Sequence, residues 1–179
     1  IGSNNDEWSL YFDGNVNIRL WLDKETTPEK KIKLLELLTD IEDPVRKMDL
    51  LITAKNFVCP SLFMAEELKR NGGKTWVYQF NRVRDNELAQ KYGAFHGAEL
   101  PYVFDTHDQW LPTNKADKVL TEQIQSYWLS FAKTGDPNND GAVVWPEYES
   151  SNDSTLVLDN EIYQRSHESS EICKIMDLF

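Results

Sequence analysis

Residues 93–104 have the sequence GAFHGAELPYVF, which places His96 directly before a glycine and follows a short strand-like run. That upstream run, KTWVYQF at 74–80, has the β-branched and aromatic content of a buried strand. The histidine segment is therefore expected to leave from the carboxyl end of a strand, where loops of open α/β sheets carry chemistry. A lone histidine beside apolar residues is also typical of a structural role. We predict that His96 is a catalytic base, with the structural role as the alternative.

The composition indicates a globular chain that binds neither nucleic acid nor anionic membranes. Its 179 residues suit one domain or part of a larger one, and the 40% of apolar residues supply a core. The formal net charge of -11 would repel polyanions. No run of about 18 apolar residues is present, which predicts no membrane span. The chain begins with Ile1 and not with Met, and we expect it to be a carboxyl-terminal fragment.

Proline-based start signals predict three helices in the first half of the chain. The Thr-Pro pair at 27–28 and the Asp-Pro pair at 43–44 each predict a capped helix start. Pro60 opens a third helix, which ends at the Asn-Gly-Gly sequence of residues 71–73. On the first helix, apolar residues recur at three-residue spacing on one predicted face, namely Ile32, Leu35, Leu38 and Ile41.

A long amphipathic helix is predicted after Asn114, which forms a capping arrangement with Asp117. Gly135 closes this helix, and a short final strand follows at 154–159. The apolar residues of its predicted core face are Leu120, Ile124, Tyr127, Trp128 and Phe131.

Two further pairs of residues have open roles on spacing alone. Asp6 and Glu7 are adjacent, so at most one can face a given partner, and a helix cap is the structural alternative. Cys59 and Cys173 could form a disulfide or remain two buried thiols. They lack the CxxC spacing and the histidine pair of a zinc site, so no metal site is predicted.

Several stretches together resemble the type B carboxylesterases, the family that includes cholinesterases and bacterial esterases active on aryl esters. Residues 1–7, IGSNNDE, resemble the family's acid loop, and residues 95–104 resemble its histidine loop. The sequence WLSFAKTGDPN at 128–138 and the sequence WPEY at 145–148 extend the resemblance over nearly the whole chain. It implies the α/β class: residues 1–179 would be the carboxyl-terminal part of a single α/β-hydrolase domain, with few strands and about five to six helices.

The resemblance assigns the acid of a catalytic triad to Glu7 and its base to His96. In such a triad an imidazole takes the proton of a serine hydroxyl, and a carboxylate orients the imidazole. His107 and His167 do not match the motif, and both are interpreted as surface residues. Trp8 stands where the family usually has a glycine, which leaves the local geometry of the acid loop open.

The nucleophile that the resemblance requires is absent, because no Gly-x-Ser-x-Gly sequence occurs in the chain. In α/β-hydrolases the serine precedes the acid and the histidine. We therefore expect the serine and the oxyanion hole in an amino-terminal portion of the same enzyme, which becomes the partner of this chain. The chain alone is expected to be inactive.

The resemblance implies a serine-dependent hydrolase of small-molecule carboxylic esters that needs no cofactor. It also implies a Cys59–Cys173 disulfide, worth about 4 to 5 kcal/mol in the chain-entropy model. A disulfide would place the protein in a secreted or extracytoplasmic setting, whereas unpaired cysteines would suit the cytoplasm. The alternatives are a cholinesterase-like adhesion or binding protein without catalysis, and a free-standing helical interaction domain.

Overall fold

Helices dominate the described part of the chain, which comprises residues 17–107, 112–166 and 170–178 of a computed structural model. In chain order the helices are α1 (Ile18–Glu25), α2 (Pro28–Leu37), α3 (Pro44–Thr53), α4 (Cys59–Arg70), α5 (Glu87–Tyr92), α6 (Leu100–Phe104), α7 (Lys115–Thr134) and α8 (Ser170–Met176). A π-helical turn, Ala54–Val58, joins α3 to α4. The strands are β1 (Tyr78–Phe80), β2 (Ser154–Leu158) and β3 (Tyr163–Ser166).

The strands form a small mixed sheet in the order β1-β2-β3. β1 pairs in parallel with β2, with Tyr78 opposite Leu156, and β2 pairs antiparallel with β3. A parallel pair requires a long crossover, and here α5, α6 and α7 lie in the connection. The strand predicted at 75–80 is confirmed in its last three residues, so the histidine segment does follow the carboxyl end of a strand.

The buried apolar residues form two clusters. One joins the helices α1 to α4 with α8 and includes the fully buried Leu34 and Leu51. The other packs α6 and α7 against β1 and β2, around Phe80, Tyr102 and Ile124. The histidine segment connects elements of the second cluster, and its Ala94 is buried there.

The predicted helix starts at residues 27–28 and 43–44 are confirmed. The Thr27 hydroxyl accepts from the Lys30 amide at 3.4 Å, and the Asp43 carboxylate accepts from the Val45 amide at 2.9 Å. Each cap is followed by a proline in the first turn, where its missing N–H costs nothing.

The predicted buried face of α2 is wrong at Ile32, which is 57% exposed, whereas Leu34 and Leu38 are buried. A helix advances by about 100° per residue, so residues three apart drift by about 60° at every step. Residues stay on one side of a helix only when three- and four-residue spacings are mixed. The buried side of α2 therefore contains Leu34 and Leu38, which are four residues apart.

The prediction of separate second and third helices is also wrong, because α3 and α4 form one continuous helix, Pro44–Arg70. Pro60 has no N–H and its ring crowds the carbonyl of the residue four positions earlier. The π-helical turn directly before Pro60 provides a wider turn at that place. The helix continues past Pro60 because the π-helical turn accommodates the proline.

The continuous helix meets the length and composition of a membrane span, which the separate helices predicted from the sequence did not. Half of its apolar window is buried inside the protein, where residues such as Leu51 and Leu62 form part of the core. Core helices commonly meet the same criterion, so the finding is weak evidence for a span. The absence of a membrane span stays a prediction.

The long helix α7 begins and ends as predicted. Asn114 and Asp117 form a capping box, and Gly135 closes the helix with a positive φ of 76°. Leu120, Ile124 and Tyr127 are buried, but Phe131 lies beyond the core and is half exposed.

The two cysteines form a disulfide that joins the start of α4 to α8. The Cα atoms of Cys59 and Cys173 lie 5.4 Å apart, and both residues are fully buried. The pairing that the family resemblance implied is therefore present in the structure.

Candidate active site

His96 lies in a tight turn between α5 and α6. Gly93 ends α5 with a positive φ of 64°, and Gly97 follows the histidine with a φ of 84°. The Ala98 amide donates to the Phe95 carbonyl at 3.0 Å, which closes the turn around His96. A side chain would be strained at either glycine, so these two positions explain why glycines flank the histidine.

The His96 side chain is exposed, and its imidazole makes no hydrogen bond to the described residues. Its ring lies against that of Phe57, with 4.7 Å between centroids and 32° between planes. Phe57 belongs to the π-helical turn, so the contact joins the helix Pro44–Arg70 to the histidine segment. Both imidazole nitrogens are available to groups outside the described residues, as the base of a triad requires. The catalytic role of His96 and its structural alternative both stay predictions.

A carboxylate lies one turn beyond the histidine. The Tyr78 hydroxyl donates to Oε1 of Glu99 over a long 3.5 Å, and Oε2 of Glu99 is buried with no partner in the described part of the chain. Burial and the neighbouring carboxylate raise the pKa of Tyr78 far above its ordinary value, which keeps this phenol a hydrogen-bond donor.

A buried polar network anchors the histidine segment to the neighbouring elements. Asp117 Oδ1 accepts from Arg82 Nε and from the Tyr102 hydroxyl, both at 2.8 Å, while Arg84 Nε lies 3.2 Å from that hydroxyl. Burial and the bond to Asp117 raise the pKa of Tyr102 to about 12, although Arg84 opposes the shift. The network ties the segment after β1 to α6 and α7, so the histidine segment is held by buried groups at Tyr102, near its carboxyl-terminal end.

The interpretation of His107 as a surface residue is wrong, because its side chain is only 5% exposed. Arg84 Nη2 lies 3.1 Å from Nδ1 of His107, and Nε2 lies 2.8 Å from the Thr121 hydroxyl. Arginine can only donate, so Nδ1 accepts and Nε2 carries the proton of a neutral ring. Burial lowers the pKa of His107, and the positive charges of Lys118 and Arg84 lower it further. His107 is a neutral structural residue of the network.

A cavity of about 290 Å³ lies between this network and the histidine segment. Its wall includes Arg82, Arg84, Phe95 and Tyr102. The two arginines were not predicted as site residues, although two basic residues directly after a buried strand indicate that acidic partners are needed nearby. In the described part of the chain, no three His, Cys, Asp or Glu side chains are grouped as a metal ion would require.

The remaining candidate residues lie outside the described residues. These are Asp6, Glu7, Trp8 and His167. The pairing of Glu7 with His96 therefore stays a prediction. Phe57 was not predicted as part of the site, because no local pattern relates it to a histidine on another element.

Comparisons with known proteins agree with this architecture. The sequence model described as "Carboxylesterase family" matches residues 15–175. Para-nitrobenzyl esterase of Bacillus subtilis is 32% identical over 179 residues, which cover 96% of this chain and 36% of that protein. Acetylcholinesterase of Gallus gallus is 32% identical over 117 residues, covering 61% of this chain and 15% of that protein.

A solved PNB esterase superposes on this chain with a TM-score of 0.74 and 28% sequence identity. The superposition covers 98% of this chain and 37% of the esterase chain. The chain thus spans little more than a third of the length of the bacterial esterase that it matches. The predicted α/β class, a partial α/β-hydrolase fold with few strands, is confirmed by this superposition. The described residues form seven helices when Pro44–Arg70 counts as one, which exceeds the five to six expected, and the assignment to the carboxyl-terminal part stays a prediction. The chain belongs to the carboxylesterase family.

Proposed function

We propose that this chain is the carboxyl-terminal part of a serine carboxylesterase and supplies the acid Glu7 and the base His96 of the catalytic triad. One observation carries the proposal: in a chain of the carboxylesterase family, His96 lies in an exposed turn with an imidazole that is free of hydrogen bonds to the described residues. The serine and the oxyanion hole come from an amino-terminal portion outside residues 1–179, and the chain alone is inactive.

The reaction is acyl transfer followed by hydrolysis. His96 takes the proton of the serine hydroxyl as the oxygen attacks the ester carbonyl, and then gives it to the leaving alcohol. It next takes a proton from water as the water oxygen attacks the acyl-enzyme, and returns that proton to the serine oxygen as the bond to the acyl group breaks and the acid leaves. Glu7 holds the imidazole in the required tautomer and stabilises the imidazolium. The substrate is a small carboxylic ester, and these steps need no cofactor.

The histidine assignment is tested by substitution in the complete enzyme with a p-nitrophenyl ester as substrate. His96→Ala should lower kcat by at least about 10³-fold, because the base is lost. His167→Ala is the matched control and should leave kcat unchanged. Wild-type turnover by His96→Ala would remove His96 from the mechanism.

The acid assignment has a matched control in the adjacent residue. Glu7→Gln should lower kcat by about 10² to 10⁴-fold, whereas Asp6→Asn should change it little. The reverse order of effects would assign the acid to Asp6. A fluorophosphonate that labels activated serines separates the enzyme from a non-catalytic binding protein, since only the enzyme would be labelled.

We also propose a secreted or extracytoplasmic location, since a buried disulfide forms and persists in an oxidising compartment. Thiol labelling of the denatured, unreduced protein from its native source tests this. Labelling of both Cys59 and Cys173 would show that they are unpaired and would favour the cytoplasm.

A further inference from the structure

We infer that Phe57 is a positioning residue for His96, which rests on the proposed function of that histidine. Their ring centroids lie 4.7 Å apart with 32° between the ring planes, which is a close, tilted ring–ring contact. The imidazole has no hydrogen bond to the described residues, so this ring contact is the specific interaction that they give to the imidazole. Without Phe57 the histidine side chain could rotate freely at the surface of its turn.

Phe57 is suited to this role because its neighbours along the chain are anchored in the core. Ala54, Val58 and Cys59 are buried, and Cys59 is linked by the disulfide to α8. The π-helical turn is therefore held on both sides of Phe57, while the ring itself is only half buried and reaches the histidine segment. An anchored element thus presents an apolar ring to an exposed imidazole, which is how a supporting residue fixes a reactive one.

The neighbouring Phe57 ring also suits the chemistry of the imidazole. During acyl transfer His96 becomes an imidazolium, and a cation over an aromatic face is stabilised by the quadrupole of the ring. Phe57 offers no polar atom that could compete for the imidazole nitrogens, so both stay available to the serine and to the acid. The expected contribution is to kcat, because Phe57 fixes the base and does not hold the ester.

The experiment uses the complete enzyme and separates kcat from KM. Phe57→Leu keeps apolar volume without a ring, and it should lower kcat about 10- to 100-fold with KM within about twofold of wild type. Phe57→Tyr restores the aromatic face and should recover most of kcat. Phe63→Ala is the matched control on the same continuous helix, since Phe63 is 48% exposed and lies on α4, away from the π-helical turn.

The outcomes distinguish the role of Phe57 from the proposed function. If His96→Ala abolishes turnover while Phe57→Leu retains wild-type kcat, the positioning role is overturned and the esterase proposal stands. If Phe57→Leu changes KM instead of kcat, Phe57 lines the substrate pocket and the inference is also overturned. Turnover by His96→Ala would overturn both. A melting temperature of Phe57→Leu close to that of wild type shows that its kinetic loss is not a loss of folding.

Discussion

The buried carboxylate of Asp117 offers a sharp test of how the histidine segment is held. Burial alone would raise the pKa of Asp117, but bonds from Arg82, from the Asn114 amide and from the Tyr102 hydroxyl lower it below its ordinary value. In Asp117→Asn the amide oxygen can still accept from Arg82, but the amide nitrogen would face the Asn114 N–H, which donates to Asp117 Oδ2 at 2.8 Å. One hydrogen bond is lost, and the buried Arg82 guanidinium loses its buried charged partner and keeps only the exposed Asp85, which together cost about 3 to 4 kcal/mol.

The matched control is Asp85→Asn, because Asp85 contacts the same arginine from the surface. Arg82 Nη1 lies 3.1 Å from Asp85 Oδ1, but the Asp85 side chain is 67% exposed. An exposed ion pair contributes at most about 1 kcal/mol. Urea unfolding of the complete protein, followed by tryptophan fluorescence, measures both variants. If Asp117→Asn lowers the free energy of unfolding by no more than Asp85→Asn does, the conclusion that the buried Arg82–Asp117 pair holds this region is refuted.

Two further predictions test other findings by the same unfolding assay. Leu34→Ala should cost about 2 to 5 kcal/mol because Leu34 is fully buried, whereas Ile32→Ala on the exposed side of α2 should cost less than about 1 kcal/mol; equal costs would contradict the observed face. The pKa of His107 is lowered in the folded protein, so the unfolded state binds more protons as the pH falls. The contribution of His107 to the free energy of unfolding should therefore be complete above about pH 6.5 and decrease as the pH falls below it. His107→Gln should flatten this dependence relative to wild type between pH 7.5 and 5, and an unchanged slope would contradict a neutral buried His107.

Features fixed by local chemistry could be predicted from the sequence. Each of the caps Thr27, Asp43 and Asn114 satisfies an amide within three residues, so its signal is complete in a short stretch. Gly135 closes α7 for the same reason, since the positive φ that it adopts is a property of one residue. The family resemblance supplied what local chemistry could not, namely the pairing of Cys59 with Cys173, which the structure shows, and the assignment of His96 as the base, which stays a prediction.

Features that depend on tertiary contacts could not be predicted in this way. Pro60 starts a helix by its local signal, yet here it lies inside one, because burial of the residues on both sides keeps the helix continuous. His107 lies in a polar stretch of sequence, yet its ring is enclosed by Arg84 and Thr121 from other elements. In both cases the deciding partners lie far away in the sequence.

The contact between Phe57 and His96 depends on α3 and α4 forming one continuous helix, which was not predicted from the sequence. If Pro60 began a new helix, residues 54–58 would form a loop between two helices, and a phenylalanine there would have no fixed direction. Because the turn is π-helical and its flanks are buried, the ring is held against the histidine segment. His96 was singled out by a short motif, but its contact with Phe57 depends on a distant helix that continues past a proline. A substitution that straightens or breaks the π-helical turn should therefore affect His96 without any change in the histidine segment itself.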